Sequence, residues 1–252
     1  MNAIDVFNHG KGRSEHLLKL AELLTNTRQR RIRTDWAKDF KGFMHWKQRE
    51  QIDRVDGTGA ILILRETSKI SAKNFGEDYT SELLRAAHVT VVAALDRYCH
   101  QLIANKCIKC LSSKSSKSAE LRKIAIPIED VHKAVKHAKK PKTRPMNIVK
   151  ASVQELLYKR TFQSPDEIAQ GLSIVGVTGL WTSCSQQMGC GAKDVTSRLN
   201  KIVSRRNKIV HEGDIVRHQR GGKVRHAEIT PTQVANDVKW LDSLVNAIEA
   251  VL

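Results

Sequence analysis

Apolar residues recur every three or four positions over most of this chain, the period of an amphipathic helix. The pattern predicts a first helix from Glu15 to about Thr27. The basic run Arg28, Arg30, Arg31 and Arg33 that follows reads as a solvated helix end. A short apolar run from Ala60 to Leu64, after Gly57 and Gly59, is compatible with either a strand or a helix. From Tyr79 to Ile108 the positions Leu84, Val89, Val92, Leu95 and Leu102 mark a long central core helix. The start of LSSKSSKSAE, about 111–118, is a Lys/Ser-rich linker by composition.

Beyond the linker, start and stop signals set the boundaries. Pro127 introduces a short helix from Glu129 to Ala138, KKPKTRP breaks the chain, and a further helix runs from Met146 to Lys159. In TFQSPDEIAQ, Ser164 is the expected N-cap, Pro165 the first-turn proline and Glu167 the capping-box partner. Thr230, Pro231 and Gln233 repeat that signature before a last helix carrying Val234, Val238, Leu241, Leu244, Val245, Ile248 and Leu252. Between these lies a helix expected from Ala192 to Glu212, closed by a left-handed cap at Gly213. The sum is an all-α helical bundle with a glycine-containing excursion, RHQRGGKVRH, near its C-terminal end.

The helix from Ala192 to Glu212 poses a physical problem. At about 100° per residue, Val195, Leu199, Ile202, Val203, Ile209 and Val210 fall within roughly 60° of one line, and Arg206 lies at its centre. Burying a guanidinium there costs several kcal/mol unless an anion or water meets it. Asp96, in the middle of the long helix, is the candidate structural partner. Asn207, His211 and Ser204 lie about 100°, 140° and 160° from Arg206, forming a polar stripe beside the apolar one. Asn207 and His211 are four residues apart and can touch. Arg206 and His211 are five apart, and spacing alone leaves their convergence open.

Charge sharpens the reading. The chain holds 43 Lys and Arg against 26 Asp and Glu, a net +17, which points to polyanionic partners, nucleic acid before membrane. No apolar run reaches the ~18 residues of a membrane span, and the N-terminus lacks a signal-peptide core, so a cytoplasmic location is expected. Five cysteines fit a reducing compartment. Cys107 and Cys110 form a lone CxxC, and Cys184 and Cys190 lack a matching spacing, so buried thiols are expected rather than zinc.

The order LLRAAHVTVVAALDRYCHQLI, TFQSPDEIAQGL and RLNKIVSRRNKIVHEGD resembles the RiboL-PSP-type HEPN family, with Arg206, Asn207 and His211 matching the RxxxxH motif of the HEPN superfamily. The likeness covers at least Leu83 to Leu252 and extends toward GTGAILILRETS. Taken this way, residues 57–252 form the HEPN domain and residues 1–56 an N-terminal helical extension. The resemblance implies an all-α HEPN-type bundle that forms a homodimer, with two motifs across a shared cleft. Catalytic members are metal-independent endoribonucleases of toxin–antitoxin and phage-defence settings, which implies RNA as substrate and an antitoxin or defence-system protein as a further partner, with no cofactor.

On that reading RNA supplies its own 2′-OH nucleophile. His211 moves a proton, Arg206 stabilises the charged phosphorane-like transition state and Asn207 orients His211 or contacts a phosphate oxygen. Arg205, Lys208, Arg217, Arg220, Lys223 and Arg225 supply backbone attraction. Ser204, Asp96, Glu212 and Asp214 are expected in supporting roles, the last two pairing with nearby arginines or capping the helix, and no metal site is expected from them. The rival readings are a non-catalytic HEPN module that binds RNA or protein, a target subunit of a nucleotidyltransferase pair, and a basic DNA-binding protein. Gly213 stands where the second would carry its tyrosine.

Overall fold

The computed structural model describes residues 2–70, 75, 77–113, 118–140, 143–216 and 225–252. The central element is α3, Glu77–Ser112, whose Leu84, Val91, Val92, Leu95, Tyr98, Cys99 and Ile103 are all buried. A helix apolar on so many sides must be covered from several directions. Around it pack α1 (Ala3–Leu23), α6 (Met146–Leu157), α7 (Pro165–Ser173), α9 (Ala192–Glu212) and α10 (Pro231–Val251). The short α8 (Leu180–Met188) fills the angle between α9 and α10, and α5 (Ile128–Ala138) rests on α6. α2 (Thr34–Phe43) and α4 (Ala119–Arg122) complete the α-helices of the described residues. No helix among these residues is long and apolar enough to cross a membrane.

Both N-caps legible in the sequence form, but only one of them closes the expected capping box. Ser164 Oγ accepts from the Glu167 N–H at 3.3 Å, although the Glu167 carboxylate turns to Arg160 at 2.9 Å instead of closing the box. Thr230 and Gln233 make the complete reciprocal pair, at 3.3 and 3.1 Å.

The N-terminal part departs from the expected helical extension in two ways. First, α1 begins at Ala3, not Glu15, and belongs to the main core: Ala3, Phe7, Leu18 and Ala21 are buried with α3. Ser14 donates to the Ala87 carbonyl at 2.7 Å, Phe7 meets Tyr98 edge-on, and Lys11 reaches Asp242 of α10 at 2.7 Å. Gly10 permits this approach, since a Cβ there would sit 2.5 Å from the Ala94 Cβ.

Second, residues 28–65 contain a three-stranded antiparallel sheet, β1 (Arg28–Arg30), β2 (Ile52–Asp56) and β3 (Ile61–Arg65), in the order β1-β2-β3. Arg28 faces Asp56, and Ile52 faces Arg65. The run left open as strand or helix is therefore a strand, and the basic run expected as a helix end is partly an edge strand. The boundary expected at residue 56 cuts the β2–β3 hairpin. That hairpin is itself fastened to α1, with the Thr58 and Gly59 N–H groups donating to the Thr25 and Leu23 carbonyls at 3.0 and 3.2 Å. A side chain at Gly57 would collide with the Leu23 carbonyl, so the loop lies flat against the helix end only because it is bare.

Candidate functional site

Helix α9 spans the residues expected for it, with Gly191 as N-cap and Gly213 in the left-handed conformation at its C-terminal end. Its apolar stripe is not buried along its whole length. Val195, Leu199, Ile202 and Val203 are buried against α3 and its neighbours, whereas Ile209 is half-buried and Val210 is 46% exposed. The helix thus runs off the core in its last two turns, and Arg206 sits where the stripe emerges. The charge in the apolar line is therefore only half-buried, which lowers its cost.

Asp96 is not its partner, which corrects the expectation. Its carboxylate accepts from the Phe162 N–H at 2.5 Å and lies 3.8 Å from His100 Nε2, because that face of α3 looks at the loop before α7. Burial lowers the pKa of His100 despite this carboxylate. Arg206 donates through Nη1 to Asn207 Oδ1 at 3.0 Å, and its Nε–H is buried with no acceptor among the described residues. Asn207 therefore engages Arg206, while its expected contact with His211 is not seen. His211 is exposed in the last turn, and it forms no hydrogen bond with a described residue.

A polar cluster lies just beyond, where Gly213 and Asp214 take left-handed conformations in succession. Asp214 is 2% exposed. Its Oδ2 accepts from Arg85 Nε at 3.0 Å and from Arg205 Nη2 at 2.7 Å, while its N–H closes the helix end on the Lys208 carbonyl at 3.0 Å. Both arginines also reach the Ala227 carbonyl. The base of the excursion is pinned to the same turn, through Val216 N–H to the Arg225 carbonyl at 2.8 Å and Ala227 N–H to the Asp214 carbonyl at 2.8 Å. Arg205, expected to contact RNA, is thus committed to this cluster. Asp214 pairs with arginines as expected, but faces inward.

Of the other expected residues, Ser204 and Lys208 lie on the exposed polar face of α9, together with Lys193, Asn200 and Lys201. Glu212 and Arg225 are exposed. Arg217, Arg220 and Lys223 lie outside the described residues. Cys99, Cys107 and Cys184 are buried thiols, and burial pushes Cys107 up to about 12 and Cys184 to about 11. Among the described residues no three His, Cys, Asp or Glu side chains converge as a metal-binding group.

Two residues of α3 were missed. Arg85 holds Asp214 as described, and buried His88 brings Nε2 within 3.1 Å of the Ile202 carbonyl and Nδ1 within 3.4 Å of Asp237. Together they fix the back of α9 one turn before Arg206 and the turn just after His211. Their signal is in LLRAAHVTVVAAL: two ionisable residues three apart inside an apolar core helix need partners.

A helical domain carrying an Arg-Asn pair and, five residues after the arginine, a histidine at the end of one helix is the class of protein these features define. The sequence model of the RiboL-PSP-HEPN family matches residues 61–252, and the chain belongs to that family. Searches of curated proteins and of solved structures returned no match. Family membership suggests a nuclease or RNA-binding role.

Proposed function

We propose that the protein is a metal-independent endoribonuclease acting in the cytoplasm as a toxin or phage-defence effector. In this reading Arg206 and His211 act on the scissile phosphate and Asn207 presents the guanidinium. The observation that carries it is the state of Arg206: a guanidinium at the edge of the core, steadied by one amide at 3.0 Å, with no ion pair among the described residues. An arginine kept for structure normally has a carboxylate, as Arg85 does at 3.0 Å in the same protein. His211, on the exposed last turn, takes the 2′-OH proton or returns one to the leaving 5′ oxygen, and the products are a 2′,3′-cyclic phosphate and a 5′-OH.

One motif offers one histidine and one arginine, whereas the chemistry benefits from two proton-transfer groups. A two-fold homodimer supplies them, and the exposed Val210, Ile215 and Val216 offer it apolar surface. An antitoxin or defence-system protein would restrain the activity. The test is incubation with total RNA in EDTA beside Arg206→Ala and His211→Ala. Wild type should cleave and leave cyclic phosphate ends, while each variant falls by roughly 10²–10⁴-fold with its helical content unchanged. Cleavage by either variant at the wild-type rate would remove the assignment. Binding of RNA without cleavage by the wild type would favour a non-catalytic HEPN module.

A further inference from the structure

The segment before the family match has a composition of its own. Between Arg28 and Arg49 stand eight Lys and Arg against two Asp, and four of the chain's twelve Phe, Trp and Tyr residues fall between Trp36 and Trp46. Aromatic residues are concentrated where core formation does not use them, since α2 buries none of its residues. Trp36, Phe40 and Phe43 recur at the spacing of one helix face. Trp36 stacks on Phe40 with ring centres 4.8 Å apart, Phe40 meets Trp46 edge-on at 5.5 Å, and the Arg65 guanidinium lies 4.4 Å from the Trp46 ring centre. The outer members stay open: Trp36 is 41% and Phe43 80% exposed, and Phe43 makes no ring contact with a described residue.

Along the chain the basic edge strand leads straight into this stripe. All three residues of β1 are exposed, and Arg31 to Arg33 join it directly to α2, with Arg33 as N-cap one turn before Trp36. Arg30 is tied to Asp56 at 3.6 Å, but Arg28, Arg31 and Arg33 have no ion pair among the described residues, and neither have Lys47 and Arg49. Unneutralised cations beside open rings suit a polymer that carries a charge and a planar face in every unit, which is single-stranded nucleic acid. A second copy of this surface would be repelled by its own charge.

We infer that β1, α2 and the loop to Arg49 form a stacking platform for single-stranded RNA, separate from the Arg206–His211 helix. This extends the ribonuclease reading by assigning where the strand is held. The experiment uses the full chain with His211→Ala, so that RNA stays intact, and follows the anisotropy of a labelled single-stranded RNA of mixed sequence over a salt series. Adding Trp36→Ala and Phe43→Ala should weaken binding at least about tenfold, because each stacked base is lost as a unit. Adding Arg28→Gln, Arg31→Gln and Arg33→Gln should flatten the slope of log affinity against log salt by about 2. Phe43→Ala alone touches no ring partner and should melt like its parent, which keeps a folding defect from mimicking the result. Parental affinity and slope in all these variants would overturn the inference and leave the surface to a protein partner. Cleavage by the wild type is measured alongside. Platform-dependent binding without cleavage sinks the ribonuclease reading alone, and His211-dependent cleavage with platform-independent binding sinks this inference alone.

Discussion

Replacing Asp214 tests whether the turn after His211 is held by charge. Its Oδ2 serves Arg85 at 3.0 Å and Arg205 at 2.7 Å, and the Arg85 side chain is only 7% exposed. Removing one partner of a buried pair costs about 3–5 kcal/mol, because the other charge is left without compensation. Two features pull the figure to the lower end. Arg85 retains Glu82 at 2.9 Å and the Ala227 carbonyl at 3.0 Å, and Arg205 is exposed enough to rehydrate. Against this, Asp214 has φ +57°, a conformation that Asp and Asn tolerate and Ala does not, adding about 1 kcal/mol for Ala. Asp214→Ala should therefore lose about 4 kcal/mol and Asp214→Asn about 2–3 kcal/mol, since the amide keeps an acceptor and the backbone preference. Urea titration reads both, and the Ala variant should melt about 8–16 °C lower. Arg85→Met combined with Asp214→Asn should lose less than the sum of the single changes, because no buried charge remains unpaired. A loss below about 1 kcal/mol for Asp214→Ala, or strict additivity in the double variant, would refute the argument that the cluster fixes this turn.

Hydrogen bonds from Arg65 and Thr67, and the Arg65 charge, hold the Glu50 carboxyl down at about 2. A depressed folded pKa stabilises fully above the ordinary value of 4.5 and ceases to do so as pH falls through about 2, so acid should loosen the sheet within that window. Glu50→Gln should remove that pH dependence in acid-unfolding curves, and an unchanged curve would contradict the coupling. Gly10→Ala should lower stability by a net 1–2 kcal/mol or so, even though Ala gains about 1 kcal/mol in helix propensity, because α1 must lift from Ala94. A stability equal to or above wild type in denaturant titration would show that the helices do not meet so closely. Val210→Asp should yield a monomer by sedimentation whose RNA cleavage per chain is lost while helical content is kept. A fully active monomer would end the shared-cleft proposal.

What the sequence determined by itself is whatever depends on neighbours within a turn or two. The Thr230 capping box, the Ser164 cap, the left-handed Gly213 and the ends of α9 are local hydrogen-bond and conformational choices, so they were legible to the residue. The Arg206, Asn207 and His211 motif was legible for the same reason, lying within six residues of one helix. The tertiary structure decided the rest. Two glycines at positions 10 and 12 argue against a helix, yet α1 starts at Ala3 because Gly10 fits against Ala94, a packing gain no local propensity registers. β1 carries no alternation, being exposed throughout, and becomes a strand only because β2 pairs with it from the far side of α2. Asp214 finds Arg85 across 129 residues of chain, while Asp96, a plausible partner by charge alone, faces another way. Charges and periodicity state what a residue needs, and only the packing of distant helices settles which neighbour provides it.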